Sequence, residues 1–402
     1  MLANYDFFAP QRIVFGWGRR SEIGTIAKSL GSRAFIVSGS RTLEANGTLD
    51  ELCRLLTNSG VNAERLATQT REPEVADVDT ATARLRDIGV REEDILIAIG
   101  GGSAIDLAKA VSAMATNTHG NGVQDFLEGV GRGLKIDRPP LPLLAMPTTA
   151  GTGTEATKNA VISSYDPPFK KSLRSDLMIP KIVLVDPELT LSLPRDITAH
   201  TGMDAITQLI ESLISRRAKP IPRALCWQGL HLALPAIFKL SRDLTNRSAR
   251  EAMSHAALLS GIALANSGLG FAHGVAAALG VHAKIPHGLA CAVMLPSALR
   301  LNQEVSQNEL GPLGRFCFAA FHDEVGLPPF GHTTTNLESA TRLIQVIEFL
   351  NERLGIPNRL SALGVTREQL PALAKGSRGN SMDGNPCDVS DTELLSILER
   401  VW

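Results

Sequence analysis

Residues 270–288 read Gly-Phe-Ala-His-Gly-Val-Ala-Ala-Ala-Leu-Gly-Val-His-Ala-Lys-Ile-Pro-His-Gly, and no other stretch constrains the fold as strongly. His273 and His287 stand fourteen positions apart. On one unbroken helix they would share a face yet lie about 21 Å apart at 1.5 Å per residue, so they meet only if the chain turns between them. Gly280 is the expected helix stop, and Pro286 cannot continue a helix begun before it. Upstream, in Gly202-Met203-Asp204-Ala205-Ile206-Thr207-Gln208, Asp204 and Gln208 are i and i+4 and share one helical face. One carboxylate, one amide and two imidazoles are the parts of a metal site. The plainer alternative makes Asp204 a helix-start carboxylate and each histidine a satisfied core residue. His273 and His287 stand apart from the other histidines because each precedes a glycine and together they flank a helix break in a small-residue apolar stretch.

A chain of 402 residues exceeds a single core, so two domains are expected. A formal net charge of −1 provides no field toward nucleic acid or a membrane surface, and neither is expected as a partner. The first residues lack a basic segment, and no eighteen-residue apolar run is visible. The five cysteines are scattered, with no CxxC pair, and read as reduced thiols of a cytoplasmic protein.

From about residue 10 to 190, apolar strand-like runs alternate with helical ones. Strands are expected at Arg12–Phe15, Ala34–Val37, Ile95–Ile99, Leu141–Met146 and Ile182–Val185, and helices at 21–30, 46–59 and 75–89. The run Ile95-Leu96-Ile97-Ala98-Ile99 has no polar alternation, as expected where both sheet faces are covered. The pattern implies βαβ units and a largely parallel sheet. Beyond Pro194 helical periodicity takes over, at 203–215, 221–240, 248–266, 272–279, 288–301, 337–354 and 391–400. The expected organisation is an α/β nucleotide-binding domain over 1–193 and an all-α metal- and substrate-binding domain over 194–402.

Gly100-Gly101-Gly102-Ser103 follows the Ile95 strand and opens a helix expected at Ala104–Ala113. Glycines at such a turn let backbone amides approach a phosphate, the helix N-terminus adds positive dipole, and Ser103 is placed to cap it or donate a hydrogen bond. The stretch is not GxGxxG, and alone it reads equally as a tight structural turn. A second polar turn, Pro147-Thr148-Thr149-Ala150-Gly151-Thr152-Gly153-Thr154-Glu155, again follows an apolar strand. Two such turns at strand C-termini are where an open α/β sheet binds its ligand. At the end of the Ala34 strand the chain runs Ser38-Gly39-Ser40-Arg41, with no acid to hold a ribose 2′-hydroxyl and a cation nearby. Of NAD and NADP, that favours NADP.

The whole chain resembles the iron-containing (group III) alcohol dehydrogenases. The matching stretches are Phe15-Gly16-Trp17-Gly18, Gly100 through Lys109, Pro147 through Glu155, Val185-Asp186-Pro187-Glu188-Leu189, Thr201 through Ala205, and His273-Gly274 through Pro286-His287-Gly288. The resemblance implies the dehydroquinate synthase-like architecture, an active site in the cleft between the domains, and a homodimer or larger homo-oligomer. It further implies interconversion of a small alcohol and its aldehyde or ketone, by hydride transfer with NAD(P). Carried over by position, Gly101, Gly102 and Ser103 would hold the pyrophosphate, and Thr148, Thr149 and Thr152 the adenine and phosphate side. Gly39 and Ser40 would also face the cofactor. Lys170 would reach the ribose near the nicotinamide and Asp106 would lie close to the ring. Asp204, His273 and His287 take three of the four metal-ligand positions, with Asp106, His273 and His287 the catalytic candidates.

Two departures are visible. Gln208 stands where the family has a histidine ligand, and Ala277 where a second histidine often follows the first of the pair. The set Asp204, His273 and His287 still matches the two-His-one-carboxylate arrangement that holds Fe(II). Zn, or no metal, remains an alternative, since the maleylacetate reductases share the fold and act without metal. His282 reads as a loop residue rather than a substitute donor. A lyase of the dehydroquinate synthase type would need a dense basic set for a phosphorylated substrate, and 270–288 offers only Lys284.

Overall fold

The computed structural model describes residues 4–39, 41–326 and 334–402. Two compact units emerge, Phe8–Ser192 and Leu193–Trp402, the second taking in residues 4–7 as well, which the sequence assigns to the first. In the first, the strands are β1 Arg12–Phe15, β2 Arg33–Ser38, β3 Asn62–Thr68, β4 Asp94–Gly100, β5 Leu143–Pro147, β6 Asn159–Tyr165, β7 Pro168–Arg174 and β8 Ile182–Val185. Its helices are α1 Ile23–Lys28, α2 Arg41–Ala45, α3 Thr48–Asn58, α4 Val75–Ile88 and α5 Gly102–Thr116.

Six strands pair all-parallel in the order β1-β8-β5-β4-β2-β3. Because side chains alternate across a strand, the unbroken apolar runs split between two cores. Phe35, Val37, Leu96, Ala98, Leu143 and Ala145 face the core formed with α4 and α5. Ala34, Ile36, Ile95, Ile97, Ile99, Leu144 and Met146 face the one formed with α1 and α3. Both sheet faces are therefore covered, as the lack of alternation implies. The chain runs outward from β2 to β3 on one side and from β4 to β5 on the other. The adjacent pair β2 and β4 is thus the point where strand order reverses, and ligands of open α/β sheets sit beyond the strand ends there.

Two elements escape the sequence pattern. β3 is an edge strand in which only Leu66 is buried, with Arg65 paired outward to Glu44 and Asp50. Charge on an edge blunts its tendency to pair with other chains, and it also erases the apolar signature of a strand. β6 and β7 form a separate antiparallel hairpin.

The second unit is helical: α6 Arg195–Ile214, α7 Pro220–Arg242, α8 Arg247–Ser267, α9 Phe271–Ala283, α10 His287–Asn302, α11 Gln307–Val325, α12 Asn336–Arg353, α13 Leu370–Gly376 and α14 Asp391–Val401. Helix α6 packs on α7, α8, α9 and α10, and every residue from Gly202 to Ile214 is buried. A helix buried all round should be apolar all round. This one carries Asp204, Thr207, Gln208, Glu211 and Ser212 in its buried part, so each needs a partner inside the protein. Among the described residues no single helix is long and apolar enough to cross a membrane.

The turn between His273 and His287 lies later than expected. Gly280 is inside α9, which runs to Ala283 and closes on Lys284, a non-glycine residue in the left-handed region at φ 54°. Pro286 then serves as the residue before α10. An isolated glycine in a well-packed helix costs only about 1 kcal/mol against alanine, and it does not end the helix unless the backbone turns there. Helix α11 was hidden by Gly311, Pro312 and Gly314, which read as breakers. A Cβ on Gly314 would fall 1.9 Å from the Ser339 carbonyl, so this glycine permits close approach to α12 instead.

Candidate functional site

In the first unit the polar turns gather at the C-terminal ends of β2, β4 and β5. The Gly39 N–H donates to Ile99 O at 2.7 Å, and the Thr148 N–H to Gly100 O at 2.9 Å. A Cβ on Gly100 would lie 2.8 Å from Gly39 Cα, so only glycine lets the ends of β2 and β4 approach this closely. A Cβ on Gly101 would meet Thr149 Cγ2 at 3.2 Å, and one on Gly102 would meet Thr152 Cγ2 at 2.8 Å. The two turns singled out by sequence are therefore packed on each other at the N-terminus of α5. Gly101 precedes α5 in extended conformation and has no side chain to cap it. The helix starts at Gly102, earlier than expected, which puts Ser103 inside the first turn rather than at the cap. Ser40 and the Arg41 side chain lie outside the described residues.

Asp106 braces this arrangement. Its carboxylate accepts from the Thr154 hydroxyl and, at 3.1 Å, from the Val161 N–H, tying α5 to the second turn and to β6. Burial raises its carboxyl above the usual range against the pull of Lys109. Lys109 is itself buried, which pulls its ammonium down to about 8. It donates to Thr154 O at 2.7 Å, Thr157 Oγ1 at 2.8 Å and Thr157 O at 3.2 Å. Lys170, on β7, pairs with Glu72 at 2.5 Å. The stretches Phe15–Gly18 and Val185–Leu189 have a structural reason to recur together. Asp186, fully buried, accepts from the N–H groups of Gly18 and Arg20 and pairs with the Arg20 guanidinium at 3.2 Å.

In the second unit, Asp204 from α6, His273 from α9, and His287 and Cys291 from α10 converge. One ligand atom from each lies within 4.8 Å of all the others. His273 Nε2 is 3.3 Å from Asp204 Oδ1, and His287 Nε2 is 3.7 Å from Cys291 Sγ. The two imidazoles meet edge to face at 5.5 Å. The glycines beside them explain how. A Cβ on Gly288 would fall 2.4 Å from the His200 carbonyl oxygen and 3.4 Å from Asp204 Cβ, so glycine lets α10 seat its first turn on the backbone of α6. A Cβ on Gly274 would fall 2.9 Å from the Ser377 carbonyl.

Glu211, two helical turns beyond Asp204, completes the arrangement. Its carboxylate accepts from the backbone N–H groups of Gly270 at 3.1 Å, Ala272 at 2.6 Å and His273 at 3.3 Å, and from His273 Nδ1 at 2.7 Å. Helix α9 has no local side-chain cap. Glu211 supplies one from another helix, where a carboxylate is favoured by the helix dipole. It also keeps a proton on His273 Nδ1, so that Nε2 is the nitrogen facing Asp204, where a cation would take the place of a second ring proton. Asn385, in the Arg378–Pro386 stretch, accepts from the Phe271 N–H at 3.2 Å and is itself held by Asn302.

Gln208 joins the cluster differently. Its Nε2 donates to Asp204 Oδ1 at 3.3 Å, and its Oε1 accepts from the Ser260 hydroxyl at 2.8 Å. The electrostatics suit a cation. Burial disfavours the His273 imidazolium, yet Cys291, Asp204 and Glu211 around it hold it well above its ordinary value. Burial would raise the Asp204 carboxyl, but the His273 hydrogen bond and the charge of His287 hold it down. Burial pushes the Cys291 thiol up to about 12. His282 is exposed on α9 and outside the cluster. Sequence reading placed Asp204, His273 and His287 but missed Cys291 and Glu211. The available signals were spacing alone, i+4 from His287 and i+7 from Asp204.

The family model described as iron-containing alcohol dehydrogenase matches residues 10–187. Its C-terminal counterpart, the Fe-containing alcohol dehydrogenase family, matches residues 198–402. The NAD-dependent methanol dehydrogenase of Bacillus methanolicus is 30% identical, over 92% of this chain and 93% of its own. The sulfoacetaldehyde reductase of Bilophila wadsworthia is 31% identical over 98% and 97%. The NADPH-dependent butanol dehydrogenase of Clostridium saccharobutylicum is 28% identical over 98% and 97%. A solved 1,3-propanediol oxidoreductase aligns over 100% of both chains with a TM-score of 0.89 at 28% identity. With both halves matched by the family's own models, the chain belongs to the iron-containing alcohol dehydrogenase family and is an oxidoreductase that interconverts alcohols and carbonyl compounds.

Proposed function

We propose that the enzyme transfers hydride between a nicotinamide dinucleotide and a small alcohol, aldehyde or ketone, at a divalent metal held by Asp204, His273 and His287. The observation that carries this reading is the convergence, buried except at His287, of one carboxylate and two imidazoles, one of them held at Nδ1 by Glu211 so that Nε2 faces the cluster. A divalent metal there supplies Lewis acidity toward an alcohol or carbonyl oxygen. The dinucleotide supplies or takes up the hydride.

The chain's own groups do the rest. Gly101, Gly102 and Ser103 expose backbone at the N-terminus of α5 to a pyrophosphate, with Thr148, Thr149 and Thr152 beside it. Gly39 faces the adenosine side, and the absence of an acid in the sequence between Ser38 and Arg41 favours NADP. Asp106 acts as a positioning residue that keeps the two turns in register. Lys170 waits at the ribose side, neutralised by Glu72 until a hydroxyl competes for it. Small substrates fit the relatives' names, which include methanol, butanol and sulfoacetaldehyde, and those relatives use both coenzymes. The reading extends to a cytoplasmic protein, in which its five free thiols stay reduced, and to a homodimer or larger assembly.

The test is elemental analysis of protein purified without added metal or chelator. It is paired with NADPH and NADH oxidation on short aldehydes before and after chelation. About one Fe or Zn per chain, with turnover lost on chelation and restored by metal, is the expected outcome. Chelator-insensitive turnover without metal would move the enzyme to a metal-free reductase chemistry, with Asp204, His273 and His287 as polar substrate contacts.

A further inference from the structure

We infer that Cys291, not Gln208, is the fourth metal ligand, giving an Asp–His–His–Cys centre in which Gln208 is an orienting residue for Asp204. This rests on the metal-dependent reading above. Three observations carry it. First, the Cys291 sulfur belongs to the set of donor atoms that all lie within 4.8 Å of one another. Second, it sits one helical turn beyond His287 on α10, so the helix that positions His287 positions Cys291 as well. Third, the Gln208 amide is engaged at both ends. Its NH2 faces the Asp204 carboxylate, and its oxygen takes the Ser260 hydroxyl. Turning the amide over would leave the Ser260 side satisfied, because that hydroxyl can accept from the NH2 while donating to Ala257 O at 2.7 Å, so the Asp204 side, where an NH2 meets a carboxylate oxygen, decides the orientation. The amide thus points its nitrogen, not its oxygen, at the cluster.

The chemistry of the exchange is consistent. Metal coordination deprotonates a thiol outright and releases the proton to solvent. A thiolate is a softer donor than an amide oxygen, so the set favours a borderline-soft ion such as Zn²⁺ over a hard oxygen-preferring one. The other four cysteines are outside the cluster, so any sulfur signal from a bound ion at this site belongs to Cys291.

The test is cobalt substitution, read by absorption rather than turnover. Chelator-stripped full-length protein is titrated with Co(II) as wild type, Cys291→Ser and Gln208→Leu. Wild type should show visible ligand-field bands and a near-ultraviolet thiolate-to-cobalt charge-transfer band saturating at about one Co(II) per chain. Cys291→Ser should keep ligand-field bands and lose the charge-transfer band. Gln208→Leu should keep both, since the Ser260 hydroxyl retains the Ala257 carbonyl at 2.7 Å as an acceptor. Ligand-field bands without charge transfer in wild type would overturn the Cys291 assignment while leaving the metal centre standing. So would a spectrum that changes in Gln208→Leu and not in Cys291→Ser. Failure of wild type to bind Co(II), Zn(II) or Fe(II) at all would overturn the metal-dependent reading itself. Should Cys291→Ser not fold, X-ray absorption on zinc-loaded wild type decides the matter by the presence or absence of a sulfur in the first coordination sphere.

Discussion

Glu211 Oε2 lies 2.7 Å from His273 Nδ1, and the same carboxylate holds three backbone N–H groups at the start of α9. One side chain thus sets both the imidazole tautomer and the position of the helix that carries it. In Glu211→Gln one carboxylate oxygen becomes an NH2, which cannot accept from the α9 N–H groups or from the His273 Nδ1–H, so the hold on the imidazole weakens. Metal affinity is expected to fall about 10–100-fold. Competition against a chelator measures it, and cofactor affinity, determined by fluorescence titration, should stay as in wild type. Equal loss of both would mean that Glu211 supports the fold and not the imidazole.

Gly288→Ala tests the close approach that brings α10 to Asp204. The new Cβ would fall 2.4 Å from a backbone oxygen and 2.8 Å from a backbone carbon of His200, atoms with no rotamer to move. Overpacking of this kind costs about 1–3 kcal/mol. A lower urea midpoint with an unchanged m-value is expected, together with weaker metal binding, because relief of the clash moves His287 away from Asp204. A midpoint equal to that of wild type would show that the helices meet less closely.

The sequence was legible wherever one local pattern decided the outcome. β1, β4 and β8 are apolar runs, and Pro286 dictated a break before His287 whichever residue ended α9. It was less legible where geometry came from a distant partner. Gly280 and Gly314 look like breakers until the surrounding packing is known, and β3 shows only Leu66 to the core. The Gln208 amide finds its second partner in Ser260, 52 positions away, and the role of Glu211 rests on a helix start 59 positions away. No residue spacing contains those relations. The hydride-transfer chemistry was readable only through the family resemblance, which short matching stretches carry; the two turns and the carboxylate–imidazole set point no further than a phosphate and a metal.

The contact between Gly102 and Thr152 predicts a coupled pair of substitutions. Gly102→Ala would put a Cβ 2.8 Å from Thr152 Cγ2 and 2.9 Å from its Oγ1, prising the second turn from the N-terminus of α5. The expected result is a KM for the dinucleotide raised about tenfold, with the aldehyde KM little changed. Thr152→Ser removes the nearer methyl. In the double variant about 1 kcal/mol of the loss should return, the size typical of residues in direct contact. Additive effects would show that the two turns bind the cofactor independently.

Glu155 gives the enzyme a stability that depends on pH in the acid range. Burial raises its carboxyl to about 7, against the pull of its own backbone hydrogen bond and of Lys109. The unfolded chain releases this proton near the ordinary carboxyl value of 4.5, so between about 4.5 and 7 the folded state holds a proton the unfolded state has lost. Stability therefore falls as pH rises through that window, by about 3 kcal/mol at most. Lys109 has the opposite sense. With its ammonium lowered to about 8 from 10.5, the unfolded chain binds the extra proton between those values, and stability recovers as pH rises through them. The pair together places a trough between about pH 7 and 8. Glu155→Gln keeps the side chain neutral and nearly isosteric, so it should make the acid limb shallower, the raised Asp106 carboxyl keeping part of it, and raise the urea midpoint at pH 8, while loss of the Glu155 charge lowers the Lys109 ammonium further and starts the alkaline limb at lower pH. Midpoints measured from pH 5 to 10 in both proteins check it, and an acid limb of undiminished depth in Glu155→Gln would assign it to another group.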